Sequence, residues 1–329
     1  MKGDKIWEAI KELFPGAQEG VPMARYTTFK IGGPAKYFVS IKSVDELQQA
    51  LALALKHSLN YFIFGGGSNM LVADEGFDGM AIKIEMNAYS VADDTVVADA
   101  GVVTAILTRA AIDAGLTGFE WGIGVPGTIG GAVRGNAGAF GGEMKDVVES
   151  AEALVDGEVH TFSNAECKFR YRHSIFKENG GIVVGVTLKL KPDAERGGVK
   201  KMMEYLDKRN KTQPKGAAST GCIFKNYEFP PKVDQPLADA PFLETMRAKS
   251  VPEEFLTKKR ISAGWLIEQV GMKGAKVGGA EVSAAHGNFI VNSGHATAAD
   301  VRTLIVNSKE KVAGKFGIDL EEEIQYIGF

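Results

Sequence analysis

Residues 118 to 144, GFEWGIGVPGTIGGAVRGNAGAFGGEM, decide how the rest of the chain is read. Ten of the 27 are glycine, a density at which neither a regular helix nor a strand is expected to persist. Glycine this dense points to backbone lying against a ligand with its amide N–H groups turned outward. Gly122-Ile-Gly124-Val-Pro-Gly127 has the G-x-G-x-x-G spacing of dinucleotide sites. That fingerprint must open a helix, and here Gly130, Gly131, Gly135 and Gly138 follow. The expectation is a long loop wrapping a large anionic cofactor. Trp121, Ile123, Val125, Ile129, Val133 and Phe140 need burial, which argues against a floppy surface loop.

Upstream, Gly65-Gly66-Gly67-Ser68-Asn69 follows the apolar run Tyr61–Phe64 directly. Successive glycine amides at a strand end can form an anion nest, with Ser68 and Asn69 adding side-chain donors. No Gly-Lys-Ser/Thr follows, so this is not a P-loop. Alone the motif reads equally well as a tight turn. A second glycine-rich loop roughly 55 residues on shifts the balance, because a cofactor with a pyrophosphate needs two such supports.

Composition sets the bounds. The chain has 329 residues, 45 % hydrophobic and 24 % charged, with net charge −3. That is ordinary for a globular protein of two or three domains and gives no general attraction to nucleic acid or anionic membrane. MKGDKIWEAIKELF reads as an amphipathic helix with Ile6, Ile10 and Leu13 on one face, not as a signal peptide. No apolar run approaches the roughly 20 residues needed to span a bilayer. Cys167 and Cys222 lie far apart without metal-ligand spacing, which suits a reducing cytoplasm and predicts neither a disulfide nor a metal site.

Periodicity predicts a mixed α/β (α+β) chain. A helix is expected over 44–57 behind Ser43 as its cap, with strands at Tyr61–Phe64, Met80–Ile84 and Val96–Ala100 and a helix near Ala105–Ala114. Strand-like runs follow at Ala151–Phe162 and Gly181–Leu190, then a linker at KPDAERGGVKK. Helices at 200–211, 262–270 and 298–315 alternate with strands at Asn288–Asn292 and Glu323–Ile327. Residues 227–260 hold five of the eleven prolines and read as an irregular surface excursion.

Three further segments can carry chemistry. In Tyr171-Arg172-His173-Ser174 the arginine can hold a carboxylate by a bidentate pair or make a plain surface ion pair. Cys222, in GCIFKN, reads first as a small buried hydrophobe. Glu321, Glu322 and Glu323 read as a solvated strand edge, with Glu321 and Glu323 on one face.

Taken in order, these segments resemble the UDP-N-acetylenolpyruvoylglucosamine reductases, the second enzymes of peptidoglycan precursor synthesis. The resemblance runs from YTTFKIGG (26–33) to Gly328. It rests on GGGSNMLV (65–72), GVPGTIGGA (124–132), GNAGAFGGEM (135–144), CKFRYRHSIFK (167–177), GCIFKN (221–226), AGWLIEQVGMKGAKVGGAEVS (263–283) and GNFIVN (287–292). It implies a flavin-binding fold of the vanillyl-alcohol-oxidase type in two subdomains, 1–86 and 87–193. A substrate domain, 194–329, would follow. FAD is then bound non-covalently, with Gly65, Gly66, Gly67, Ser68 and Asn69 on one side. Gly124, Pro126, Gly127, Thr128, Gly130, Gly131, Asn136, Ala137 and Gly138 hold the other.

NADPH is the implied electron donor and UDP-N-acetylglucosamine enolpyruvate the substrate. A hydride passes from flavin N5 to C3, and C2 is protonated to give UDP-N-acetylmuramate. By motif match Arg172 is the stabilising cation, Glu323 its partner, and Cys222 stands where the family commonly has serine as the proton donor. A thiol, with pKa about 8.5, is the stronger acid and can serve. Tyr171, Lys215, Lys225, Asn226, Lys273, His286 and Asn288 are the candidates for substrate contacts. The short path from Ser174 to the strand at IVVGVTLKL places the chain in the branch without an inserted tyrosine loop. Cytoplasmic location and a monomer are expected. The alternatives are another FAD-dependent sugar or alcohol oxidase of the same superfamily, or a non-catalytic flavin or nucleotide-sugar binding protein.

Overall fold

The computed structural model describes residues 5–229 and 240–329. Helix α1 (Lys5–Leu13) leads into strands β1 (Gln18–Pro22) and β2 (Pro34–Ile41), helix α2 (Val44–Lys56), and strands β3 (Tyr61–Phe64), β4 (Met70–Val72) and β5 (Phe77–Ile84). The sheet order is β1-β2-β5-β3, with β2, β5 and β3 parallel and β1 antiparallel to β2. Parallel strands are buried on both faces, and in β2 Ala35, Tyr37, Phe38, Val39 and Ile41 are all buried. Helix α2 starts where Ser43 predicts: its Oγ accepts from the Glu46 amide at 3.1 Å, and Asp45 and Glu46 in the first turn offset the helix dipole.

A second sheet is antiparallel throughout, ordered Glu158–Ser163, Val148–Val155, Ile182–Lys189, β7 (Thr95–Asp99) and β6 (Tyr89–Ala92). The run Ala151–Phe162, expected as one strand, is a hairpin. Asp156 and Gly157 both have positive φ, the backbone of a two-residue turn that suits the twist of the flanking strands. Helix α3 (Thr104–Asp113) and the first two sheets share one core, in which Tyr37, Ile82, Leu107, Ile129 and Leu188 are fully buried.

The glycine-dense stretch is more ordered than its composition predicts. Residues Glu120–Gly124 form a 3-10 turn, α4 (Ile129–Arg134) is a short α-helix, and Gly138–Ala139 pairs with Gly142–Glu143. The G-x-G-x-x-G run therefore does stand just before a helix, with Thr128 at its N-cap position. Tertiary burial overrides propensity here: Trp121, Ile129 and Val133 are buried, and the Gly130 and Ile129 amides donate to Ala100 and Val102 carbonyls. At the start of the stretch the buried Glu120 accepts from the Gly118 amide at 3.1 Å and from Thr117 and Lys201.

The C-terminal region begins with α5 (Gly198–Thr212), so the expected linker already turns helical at Gly198. Phe140 stacks on Tyr205 of α5 at 4.7 Å, which closes this helix onto the glycine stretch. The segment 227–260 departs from its expected irregularity. Its described part contains α6 (Ala240–Ala248) and α7 (Glu253–Thr257), and Tyr227–Glu228 pairs with Arg260–Ile261; residues 230–239 lie outside the described residues. Nor is its described part a surface excursion: Phe229, Met246, Val251 and Leu256 are buried in the core of this region. That core also takes α8 (Ala263–Gln269), a three-stranded sheet (Lys276–Val277, Ala280–Val282, Ile290–Asn292) and α9 (Ala298–Phe316).

Two devices dock this region on the first. Gln325–Ile327 pairs in parallel with β4. Asp74 accepts from the first amides of α9, Ala298 at 2.8 Å and Ala299 at 3.1 Å, adding to the Thr297/Asp300 capping box. Phe29, Ile31 and Leu71 of the first region complete the apolar contact.

A candidate flavin and reduction site

Where the three regions meet lies a cavity of about 640 Å³. One wall is backbone. The Ser68 hydroxyl donates to the Pro126 carbonyl at 3.2 Å, so the loops 65–69 and 126–131 lie back to back. Their approach depends on glycine: a Cβ on Gly66 would sit 2.7 Å from the Gly127 Cα. Among the described residues the amides of Gly66, Gly67 and Ser68 have no protein acceptor. These residues line the cavity, as does Gly131, whose added Cβ would meet only the Thr128 hydroxyl at 3.8 Å. An amide-lined cradle that a side chain would fill fits a flavin dinucleotide with its pyrophosphate against these loops.

The other wall is charged and comes from widely separated segments. Arg170 and His173 exchange both backbone hydrogen bonds at 3.0 Å, which makes Tyr171-Arg172 a two-residue turn. Arg172 sits in the left-handed region, φ 53°. Such a conformation persists where the surroundings over-determine it. Here Lys177 Nζ donates to the Arg172 carbonyl at 2.8 Å, and the Tyr171 hydroxyl accepts from the Asn226 amide at 3.1 Å. Arg260, at the end of the 227–260 segment, lies over the Tyr171 ring at 4.4 Å. The Arg172 side chain then reaches Glu323, Nε to Oε1 at 2.8 Å.

Glu323 is fixed from two sides. Its amide donates to the Ile223 carbonyl at 2.8 Å, and its carbonyl accepts from Asn69 Nδ2 at 3.0 Å. The three glutamates do not share an edge: Glu321 pairs with Lys225, Glu322 with Lys309 at 2.6 Å, and Glu323 with Arg172. Cys222 lines the same end of the cavity, in an isolated bridge with Phe289. The buried Asn288 supports the next residues by accepting from the Phe224 amide and donating to its carbonyl, at 2.9 and 2.8 Å.

Burial dominates the electrostatics of this end. It pushes the Cys222 thiol up to about 12, and the neighbouring Glu323 adds to the effect while Arg172 and Arg209 oppose it. Burial also raises the Glu323 carboxyl above its ordinary range, outweighing Arg172 and Lys177. The thiol therefore keeps its proton throughout the neutral range.

The cavity lining includes most of the residues expected to hold the cofactor: Gly65 to Asn69, Gly124, Pro126, Thr128, Gly130, Gly131, Ala137 and Gly138. Gly127 stands behind the lining, against Gly66. Asn136 is buried away from it, donating to Glu143 and to the Arg170 carbonyl, both at 2.9 Å, and accepting from the Lys145 amide. Arg172, Cys222 and Glu323 come together. The expected substrate residues do not line this cavity. Lys215 borders an adjoining hollow of about 290 Å³, Lys225 is paired with Glu321, and Lys273 with Glu268 at 3.3 Å. Asn226 caps α8 through the Ala263 amide at 3.1 Å, and His286 accepts from the Asn288 amide at 3.2 Å.

Sequence reasoning missed Arg134, Lys177, Arg209 and Gln213, all of which line the cavity. Lys177 lies inside a quoted motif, CKFRYRHSIFK, whose register with the Arg172 turn was its available signal.

Comparisons with known proteins place the chain in a family. Residues 213–327 match the C-terminal domain of UDP-N-acetylenolpyruvoylglucosamine reductase, and residues 35–163 match an FAD binding domain. The chain is 39 % identical to the UDP-N-acetylenolpyruvoylglucosamine reductase of Syntrophomonas wolfei, covering 93 % of each chain. It is 38 % identical to that of Alkaliphilus oremlandii, covering 98 % of each. The crystal structure of the Thermus caldophilus enzyme superposes with TM-score 0.74 at 35 % identity, over 94 % of this chain and 98 % of that one. With identity of this level along nearly its whole length, the chain belongs to the UDP-N-acetylenolpyruvoylglucosamine reductase family.

Proposed function

We propose that the protein reduces UDP-N-acetylglucosamine enolpyruvate to UDP-N-acetylmuramate with non-covalent FAD and with NADPH as electron donor. The observation that carries the reading is the convergence of Arg172, Glu323 and Cys222 at one end of an amide-lined cavity of flavin size. When bound, FAD supplies the hydride chemistry, accepting from the nicotinamide and delivering to C3 of the enolpyruvyl ether.

The chain's own residues handle the charge and the proton. Hydride addition at C3 places negative charge on C2 and its carboxylate. Arg172, already oriented by Lys177 and Glu323, stands ready to stabilise it without reorganisation. One donor of this kind is worth about 3 kcal/mol of barrier. Glu323 holds the guanidinium and, with its carboxyl raised by burial, can accept or share a proton beside the enolate. Cys222 is assigned the proton that goes to C2. A thiol held to about 12 stays loaded at neutral pH, and the developing carbanion is basic enough to take its proton.

The substrate domain is assigned to residues 194–329 and the two flavin subdomains to 1–86 and 87–193. Among the described residues no helix is long and apolar enough to cross a membrane. A cytoplasmic monomer is the form in which the reading is tested. The decisive experiment is anaerobic: NADPH should bleach the oxidised-flavin band of the purified protein, and UDP-N-acetylglucosamine enolpyruvate should restore it rapidly. Bleaching without recovery would mean a flavin reductase with another acceptor. Absence of a flavin band after reconstitution would overturn the assignment of the two loops.

A further inference from the structure

The cavity is lined by four cations, Arg134, Arg172, Lys177 and Arg209, and by one carboxylate, Glu323. Arg172 is engaged by Glu323 and Arg209 by the Gly124 carbonyl. Lys177 meets only a neutral carbonyl, that of Arg172. Arg134 has no acceptor among the described residues. Its position is nevertheless fixed, because the fully buried Ser174 donates to the Arg134 carbonyl at 2.7 Å, two residues after Arg172. Arg134, Arg172 and Lys177 thus converge on one turn. Burial depresses both the Arg134 guanidinium and the Lys177 ammonium, and Arg134 repels Lys177 further. Glu323 and Glu321 offset part of the Lys177 charge, but neither cation makes an ion pair among the described residues, and two such cations in a half-buried place favour an anion from outside.

We propose that Arg134 and Lys177 form a second anion seat beside the Arg172–Glu323 pair, and that it takes the carboxylate of the enolpyruvyl substrate. This rests on the function proposed above. The flavin pyrophosphate already has the amide wall of loops 65–69 and 126–131. The charged end, where Lys177 touches the backbone of Arg172, is left for the acid group attached to the reacting carbon. Arg134 is a specificity residue: it rewards a ligand that carries a carboxylate over one that lacks it.

The test compares two ligands of the FAD-loaded protein, UDP-N-acetylmuramate and UDP-N-acetylglucosamine, which differ by the carboxylate-bearing lactyl ether. Binding is read from the perturbed flavin spectrum. Wild type should favour UDP-N-acetylmuramate, and Arg134→Met should cut that preference about tenfold or more while UDP-N-acetylglucosamine binding stays unchanged. Arg134→Lys should restore part of the preference, which separates charge from folding; flavin content and far-ultraviolet circular dichroism must match wild type. Lys177→Met should lower the preference too, with an added fall in turnover because Arg172 loses its backbone donor.

An unchanged preference in Arg134→Met overturns the proposal. If the NADPH KM rises instead, the occupant is a nucleotide phosphate. If the flavin midpoint potential falls instead, the charge faced is that of the reduced flavin. Wild type that turns over the enolpyruvate while Arg134→Met keeps full discrimination sinks the seat alone. Wild type without turnover sinks the functional reading and the seat with it.

Discussion

The two walls of the cavity solve the same problem, holding anions, by opposite means. The wall built from 65–69 and 126–131 uses peptide N–H groups and needs almost no side chains. The wall of Arg134, Arg172, Lys177 and Glu323 uses side chains drawn from distant segments. A backbone site is fixed by how closely two chains approach, so it tolerates no added Cβ at the point of approach and ignores most charge changes elsewhere. A side-chain site tolerates small shifts of backbone and is undone by removing one charge.

That contrast orders the expected effects. The largest belongs to Gly66→Val, which forces the two loops apart where a Cβ would lie 2.7 Å from Gly127. The variant should purify without a visible flavin band. Retention of stoichiometric FAD would mean that loop contact does not make the cradle. Next comes Glu323→Gln, which should keep its flavin and its reduction by NADPH but lose about 10²- to 10³-fold in reoxidation by substrate. Stopped-flow absorbance separates the two halves, and equal loss in both would collapse the distinction between the walls.

A smaller effect follows from the proton on Cys222. Folded, the thiol keeps its proton to about 12; an unfolded thiol releases it near about 8.5. The unfolded state therefore gains as pH rises between these values, and native stability falls there while being intact below. From pH 8 to pH 10 wild type should lose about 2 kcal/mol more than Cys222→Ser, measured by urea denaturation at each pH. Equal losses would place the thiol in contact with bulk solvent. In the same variant turnover should persist, and Cys222→Ala should abolish rapid reoxidation.

The smallest effect concerns the residue that belongs to both walls. Asn69 donates to the Glu323 carbonyl while its own carbonyl accepts from Gln325. Asn69→Ala should cost about 1 kcal/mol of stability and only a few-fold in turnover. A loss as large as that of Glu323→Gln would show that the walls act as one unit.

How much of this was legible before folding differs between the walls for a physical reason. Glycine runs such as 65–67 and 130–131 declare themselves because they are contiguous, and GCIFKN and the Arg172 turn became readable through their order along the chain. Arg134 and Arg209 carry no local pattern, since a single cation acquires meaning only from what it faces, and Lys177 was marked only by its register with the Arg172 turn. Helix α4 was hidden by its glycines, and α6 and α7 by the prolines around them. In each case buried apolar groups, Ile129 and Val133 in one and Met246 and Leu256 in the other, decided against local propensity. The hairpin at Asp156-Gly157 was missed because Val159 and Phe162 continue the scattered apolar residues of Val148–Val155, although the second strand is largely polar and exposed, and the two turn residues alone mark the reversal.

The parallel pairing of Met70–Val72 with Gln325–Ile327 has a consequence for biosynthesis. The strand that leaves the GGGSN loop finds its neighbour only after a ribosome has extended the nascent chain by some 250 residues, the separation of Asn69 from Glu323 being 254. Through most of translation the strand edge after the loop stays open, and the loop itself lacks the anchor that Asn69 later gains. Cofactor capture is thus set to be a late event in the life of the polypeptide, and the waiting edge is where a chaperone has the most to shield.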